Sequence, residues 1–120
     1  MRILITGSNG LLGQHLVAQL LKRNIPFLAT SQSVNRNPDC PDDLYTSADI
    51  TQTDDFVDLI QSFQPTHFIH TAAVTNVDLC EENPQLCHNV NVNAVEKLFN
   101  LCTISGIHFQ LLSTDFVFDG

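Results

Sequence analysis

Residues 2–23, RILITGSNGLLGQHLVAQLLKR, hold the transition that decides the fold. Residues 2–6 are a short apolar run rich in β-branched side chains, stopping at Gly7 as a buried parallel strand does. From Leu11 the period changes. Leu12, Leu16 and Leu20 recur every fourth residue with Val17 and Leu21 beside them, a helix stripe that runs to about Arg23. Lys22 and Arg23 lie in its last turn, where cations suit the helix dipole. Between strand and helix stand Gly7, Gly10 and Gly13 in a G-x-x-G-x-x-G spacing. Gly7 permits the tight turn off the strand, Gly10 lets a pyrophosphate approach the backbone, and Gly13 lets the helix lie close to the sheet. The helix N-terminus then presents free N–H groups and a positive dipole end to a phosphate, with no Lys or Arg required.

Outward from this unit the alternation continues. Residues 26–30, PFLAT, read as a second strand, and the polar, proline-containing stretch 31–43 as a loop. Residues 44–50 hold a weaker third strand. Thr51 is expected to cap a helix, with Asp54 three residues on and Phe56, Leu59, Ile60 and Phe63 on its apolar face. Residues 67–71, HFIHT, make a fourth strand. A turn of helix is expected over 76–83, then a long helix from Pro84 to about Ser105 with Val92, Val95, Leu98, Phe99 and Cys102 inward. Gly106 stands where a C-cap belongs, and residues 107–112 are a fifth strand. Five alternations predict an α/β fold with a parallel sheet and right-handed crossovers. Residues 1–120 read as one domain.

The 120 residues are 43% hydrophobic and 15% charged, a composition that folds rather than stays disordered. Five Lys and Arg stand against 13 Asp and Glu, and a formal charge of −8 argues against nucleic-acid or acidic-membrane partners. No apolar run reaches the ~18 residues of a membrane helix. The N-terminus lacks a signal peptide's pattern, so a soluble, cytoplasmic protein is expected. Cys40, Cys80, Cys87 and Cys102 show no metal or redox spacing and read as reduced thiols. The five histidines form no metal pattern either; His70, His88 and His108 read as core or strand-end residues.

At the end of the second strand a NAD site usually carries a carboxylate. This chain has Thr30 and Ser31 there, with Arg36 the nearest cation, which tilts the expected cofactor from NAD toward NADP.

Four stretches carry a family likeness: TGSNGLLG at 6–13, FQPTHFIHTAAVTNVDLCEENP at 63–84, NVNAVEKL at 91–98 and STDFVFDG at 113–120. Through them the chain resembles the extended short-chain dehydrogenase/reductases, and within these the dTDP-4-dehydrorhamnose reductase group. That group also includes the regulatory β subunit of methionine adenosyltransferase. The resemblance implies a Rossmann-type doubly wound parallel sheet ordered 3-2-1-4-5, with ligands at the carboxyl ends of its strands where the order reverses. Phe116 replaces the group's usual Tyr. The resemblance implies that Gly7, Asn9, Gly10, Leu11, Leu12 and Gly13 form the pyrophosphate turn. It puts Thr30 and Ser31 at the adenosine ribose, Asp49 and Ile50 at adenine, and Thr71, Ala72 and Ala73 against the cofactor ribose. It makes Asn91 a brace for the active-site end of its helix, and residues 74–78 part of the substrate-side loop. Thr114 would hydrogen-bond the reacting oxygen, and Asp115 would tune proton transfer.

The family's Y-x-x-x-K proton donor does not occur in the chain. The only tyrosine, Tyr45, is followed four residues later by Asp49. From its place at the start of the third strand it is expected at the opposite end of the sheet from the glycine turn. In relatives the motif follows STDFVFDG, so these residues are expected to be the N-terminal portion of a longer protein, inactive by themselves and ending before a sixth strand and the substrate-binding part. The implied parent reduces the 4-keto group of a nucleotide-activated sugar. The alternative is a non-catalytic, NADP-binding regulatory subunit. A flavodoxin-like or receiver domain fits poorly, since a receiver needs an acidic cluster after its first strand, where this chain has Thr6. The fifth strand, left as an open edge, is expected to support self-association or a homodimer.

Overall fold

The computed structural model describes residues 1–71, 81–85 and 92–112. Its strands are β1 (Ile3–Thr6), β2 (Phe27–Ser31), β3 (Tyr45–Ser47), β4 (His67–His70) and β5 (His108–Leu111). Its helices are α1 (Leu11–Lys22), α2 (Thr53–Phe63) and α3 (Ala94–Ser105), and a 3-10 turn, Asp42–Leu44, leads into β3. All strand pairs are parallel and the order is β3-β2-β1-β4-β5. Strand order reverses beside β1, the most protected strand. Ile3 pairs with Phe27 on one side and His67 on the other, which buries the run ILIT completely.

Alternation along β1 divides the core. Ile3 and Ile5 point to one face, where Val17 and Leu20 of α1 pack with Phe27, Ala29 and Cys40. Leu4 points to the other, with Phe56 of α2, Phe68 of β4 and Leu98 and Cys102 of α3. Helices on both faces are what a parallel sheet needs, since its strands are apolar on both sides. Phe68 stacks on Phe109 at 5.5 Å and meets Phe56 at 5.7 Å, joining β5 and α2 to this second layer.

Several local expectations are corrected. The third strand covers 45–47 rather than 44–50. Thr51 does not cap α2: its N–H and its hydroxyl both go to Asp49 Oδ1, at 2.9 and 2.7 Å, and the helix begins two residues later. An Asp two residues before a hydroxyl offers a local turn that outcompetes the cap. In α3 the buried stripe is Ala94, Leu98 and Cys102, while Phe99, and Val92 ahead of the helix, are about half exposed. Phe99 sits next to Leu98 in sequence, so it points about a quarter-turn away and meets Phe109 edge-on at 5.8 Å instead. Gly106 does cap α3, at φ +72°. The N-terminal part of the expected long helix lies outside the described residues, as does most of the turn expected over 76–83.

Candidate dinucleotide-binding site

The glycine turn leaves β1 at its carboxyl end. Gly7 has φ +72°, a left-handed conformation that glycine alone adopts without strain. Gly10 N–H closes onto Gly7 O at 3.0 Å, and Gln14 N–H opens the α1 ladder on Gly10 O at 2.8 Å. The N–H groups of Leu11, Leu12 and Gly13 therefore precede the ladder. Gly10, the N-cap, contributes no side chain, and no acidic residue occupies the first turn. Within the helix's own cap and first turn nothing offsets the positive end of its dipole, and Leu11 is exposed there. Gly13 fixes the spacing: a Cβ there would lie 2.0 Å from Gly7 O and 2.7 Å from Ser8 Cα, both backbone. A Cβ on Gly10 would meet only Gly7 O, at 3.4 Å. The turn is thus tight toward the sheet and open above the helix end, which fits a diphosphate in size and charge.

The loop after β2 folds back over this turn. Ser8 N–H donates to Thr30 O at 3.1 Å, and the Asn37 side-chain amide donates to Ser8 O at 3.2 Å. Asn9 bridges the two segments. Its Nδ2 donates to Ser31 Oγ at 3.0 Å and Val34 O at 2.9 Å, and its Oδ1 accepts from Arg36 N–H at 2.7 Å. Thr30 is buried and its hydroxyl donates to Ile5 O at 2.7 Å, so it braces β2 on β1, while Ser31 is half-buried at the rim. Arg36 is exposed and, among the described residues, forms no ion pair. Asp49 and Ile50 follow β3 at the same end of the sheet; Ile50 packs on the α2 side of the core.

At the end of β4, Thr71 is tied to β1. Its N–H donates to Thr6 Oγ1 at 2.9 Å and its hydroxyl donates to Thr6 O. Gly7, Ser31 and Thr71 therefore share the carboxyl edge of the sheet, at the reversal of strand order. His70 is fully buried beside them. Its Nδ1 lies 2.8 Å from Thr6 Oγ1, its Nε2 has no partner among the described residues, and burial lowers its pKa to about 4. The expectation of a core, strand-end histidine describes it well. Ala72, Ala73, Asn91, Thr114 and Asp115 lie outside the described residues, as do residues 74–78, His88, Cys80 and Cys87.

Tyr45 requires a correction. It pairs with Ala29, which pairs with Ile5, so β3 starts level with the carboxyl half of the sheet. The phenol donates to the carbonyls of Ser31 and Ser33, on the glycine-turn end rather than the opposite one. The register is the cause: β3 begins opposite Ala29, two residues into β2, rather than opposite Phe27 at its start. Burial raises the phenol's pKa above its ordinary value. Two strands separate it from β4, so it braces the loop on the adenosine side. Asn37 and Tyr45 were not anticipated at this site; the turn-forming run Asn35-Arg36-Asn37 was the available signal for the first.

Cys40 and Cys102 are buried free thiols, and burial raises both pKa values, that of Cys102 to about 11. Among the described residues no three His, Cys, Asp or Glu side chains converge as metal ligands, and no helix is long and apolar enough to cross a membrane.

The model of the family described as the RmlD substrate binding domain matches residues 1–120. Among curated proteins, the chain is 37% identical over 116 residues to the probable low-salt glycan biosynthesis reductase Agl14 of Haloferax volcanii, covering 97% of this chain and 38% of that protein. It is 34% identical over 119 residues to the dTDP-4-dehydrorhamnose reductase of Aggregatibacter actinomycetemcomitans, covering 99% and 36%. It is 33% identical over 119 residues to methionine adenosyltransferase 2 subunit beta of Xenopus laevis, covering 99% and 34%. The chain thus spans little more than a third of the length of these relatives. Among solved structures, it superposes on the UDP-glucose 4-epimerase of Thermus thermophilus, in complex with NAD, at a TM-score of 0.81 and 28% identity, covering 89% of this chain and 35% of that one. L-threonine dehydrogenase of Clostridium difficile, with a TM-score of 0.82 and 24% identity, shares the fold over 92% of this chain and 35% of its own.

Proposed function

Because this chain belongs to the family of the RmlD substrate binding domain, we propose that it is the dinucleotide-holding portion of a reductase acting on the 4-keto group of a nucleotide-activated sugar. The observation that carries the reading is the α1 N-terminus, uncapped by any side chain and open above Gly10 at the reversal of strand order. Bound there, NADPH or NADH supplies the hydride. The chain's own residues hold and orient it. Backbone N–H groups of the 7–13 turn take the pyrophosphate, Asp49 and Ile50 border adenine, and Thr71, Ala72 and Ala73 let the ribose lie against the backbone. Asn91 braces the α3 side.

Thr114 holds the reacting oxygen by a hydrogen bond, and Asp115 biases the proton balance beside it. In this reading the net proton comes from a Tyr–Lys pair outside residues 1–120. An alkoxide that forms as hydride arrives needs an acid stronger than a Thr hydroxyl, and Tyr45, bonded to the Ser31 and Ser33 carbonyls, is turned to other work. We assign a preference for NADPH over NADH to Ser31 and Arg36, where a NAD site would carry a carboxylate that repels the 2′-phosphate. A cytoplasmic location goes with the same reading.

A second reading has specific support: the identity to a methionine adenosyltransferase regulatory subunit, 33%, is close to the 34% with a dehydrorhamnose reductase. There the same site would hold NADP without turnover. Full-length protein mixed with NADPH or NADH and a panel of 4-keto nucleotide sugars separates the two. Loss of reduced-nicotinamide absorbance is expected with at least one sugar, falling about a hundredfold in Thr114→Val. Tight dinucleotide binding with no oxidation on any sugar would favour the regulatory subunit instead.

A further inference from the structure

Asn9 lies within the glycine turn, where side chains are ordinarily read as part of a phosphate cradle. Its side chain is engaged elsewhere. Nδ2 has two hydrogens, and it faces Ser31 Oγ at 3.0 Å, Val34 O at 2.9 Å and Ser33 Oγ at 3.4 Å. Oδ1 takes the Arg36 N–H at 2.7 Å, and the residue's own carbonyl takes Gln14 Nε2 at 2.8 Å. One amide thus spans 22 to 27 residues of sequence separation and meets the first part of the loop at residues 31, 34 and 36. Two further ties fasten the same loop, Asn37 to Ser8 O and the Tyr45 phenol to the Ser31 and Ser33 carbonyls. Residues 32–36 contribute little apolar burial: Val34 is 70% exposed, and residues 32–34 and 36 are exposed. Hydrogen bonds rather than burial therefore fix the path of this segment.

We propose that Asn9 is a positioning residue: it clasps residues 31–36 onto the glycine turn before nucleotide arrives, and so sets Arg36 at the 2′ end of the adenosine ribose. This rests on the reading of the site as a dinucleotide site. A loop held in place spares the ordering cost that binding otherwise carries. Because Arg36 is held through its own backbone N–H, loosening the clasp disperses the one cation of the loop. The penalty then falls on the nucleotide with a 2′-phosphate and much less on the one without.

The test uses full-length protein carrying Asn9→Ala, Arg36→Ala or both. Without nucleotide, trypsin cleavage after Arg36, identified by mass spectrometry, is expected to accelerate about tenfold in Asn9→Ala. NADPH is expected to bind about tenfold more weakly while NADH changes by less than about threefold, and the double variant loses no more NADPH affinity than the worse single one. If Asn9→Ala does not fold, Asn9→Asp, which keeps the acceptor and loses the donors, is measured in its place for both cleavage and binding. Unchanged cleavage overturns the clasp, as does equal weakening of NADPH and NADH, which would make Asn9 an ordinary member of the phosphate turn. If the unsubstituted protein binds neither dinucleotide, the proposed function fails, and the clasp is then decided by cleavage alone.

Discussion

His70 is a buried polar residue with half of its hydrogen-bonding capacity used. Thr6 Oγ1 meets Nδ1, Phe109 stacks on the ring at 6.2 Å, and Nε2 faces no partner among the described residues. Charging such a ring removes a solvated cation from water without compensation, which is why burial holds its pKa at about 4 rather than 6.5. The sign of the consequence follows. As pH falls below 6.5, the unfolded chain takes up a proton that the folded chain refuses until about 4, so stability decreases through that window. The full loss is about 3 kcal/mol. Urea unfolding at pH 7 and at about pH 4 should show this loss, and His70→Asn, which has nothing to titrate, should flatten the difference by a similar amount. An unchanged pH slope in the variant would assign the acid sensitivity to other groups. The sequence placed this histidine in the core or at a strand end from its position in HFIHT. It could not show that Thr6, 64 residues away, would be the partner, because that pairing depends on the register of β4 on β1.

At the scale of elements, the β1–turn–α1 junction was legible because one local constraint governs it: the period changes from strand to helix across glycines whose spacing has a steric reason. Gly13 is the closest contact in that junction. A methyl at Gly13 meets Gly7 O and Ser8 Cα, and neither yields as a flexible side-chain tip would. Gly13→Ala therefore requires α1 to move off the sheet, which unpacks Val17 and Leu20 from Ile3 and Ile5. A stability loss of about 3 kcal/mol is expected, as for overpacking against a rigid neighbour. Gly10→Ala, whose Cβ stops 3.4 Å from Gly7 O, should change the urea midpoint little and instead weaken dinucleotide binding. Equal midpoints for the two variants would refute the packing argument. Element ends were less legible where side chains compete locally. Thr51 had the residue type of a helix cap, yet Asp49 captured both of its donors. Phe99 matched the helix period, yet the buried stripe runs through Ala94, Leu98 and Cys102.

For the whole molecule, alternation and crossover handedness make a parallel sheet with helices on both faces legible, while the observed order 3-2-1-4-5 is the one the family resemblance implies, since the same alternation also fits other doubly wound orders. The level at which β3 starts does not follow from alternation, which is why Tyr45 stands at the glycine-turn end of the sheet rather than the opposite one. The same topology leaves β5 outermost, hydrogen-bonded to β4 on one side and, among the described residues, to no further strand. Its exposure is mixed rather than purely apolar: His108, Gln110 and Leu111 are exposed, and Phe109 turns inward onto Phe68. A row of backbone donors and acceptors with alternating exposed side chains is a template for another strand, and no Lys, Pro or bulge blunts it between residues 108 and 111. The 120-residue chain is therefore expected to self-associate as its concentration rises, through pairing of β5 edges. Sedimentation velocity across a concentration series should show a rising mean mass. Gln110→Lys, which puts a charge on the exposed face of the edge while leaving Phe109 in place, should return the chain toward monomer. A monomer at every concentration, or association that Gln110→Lys leaves untouched, would move the contact away from this strand.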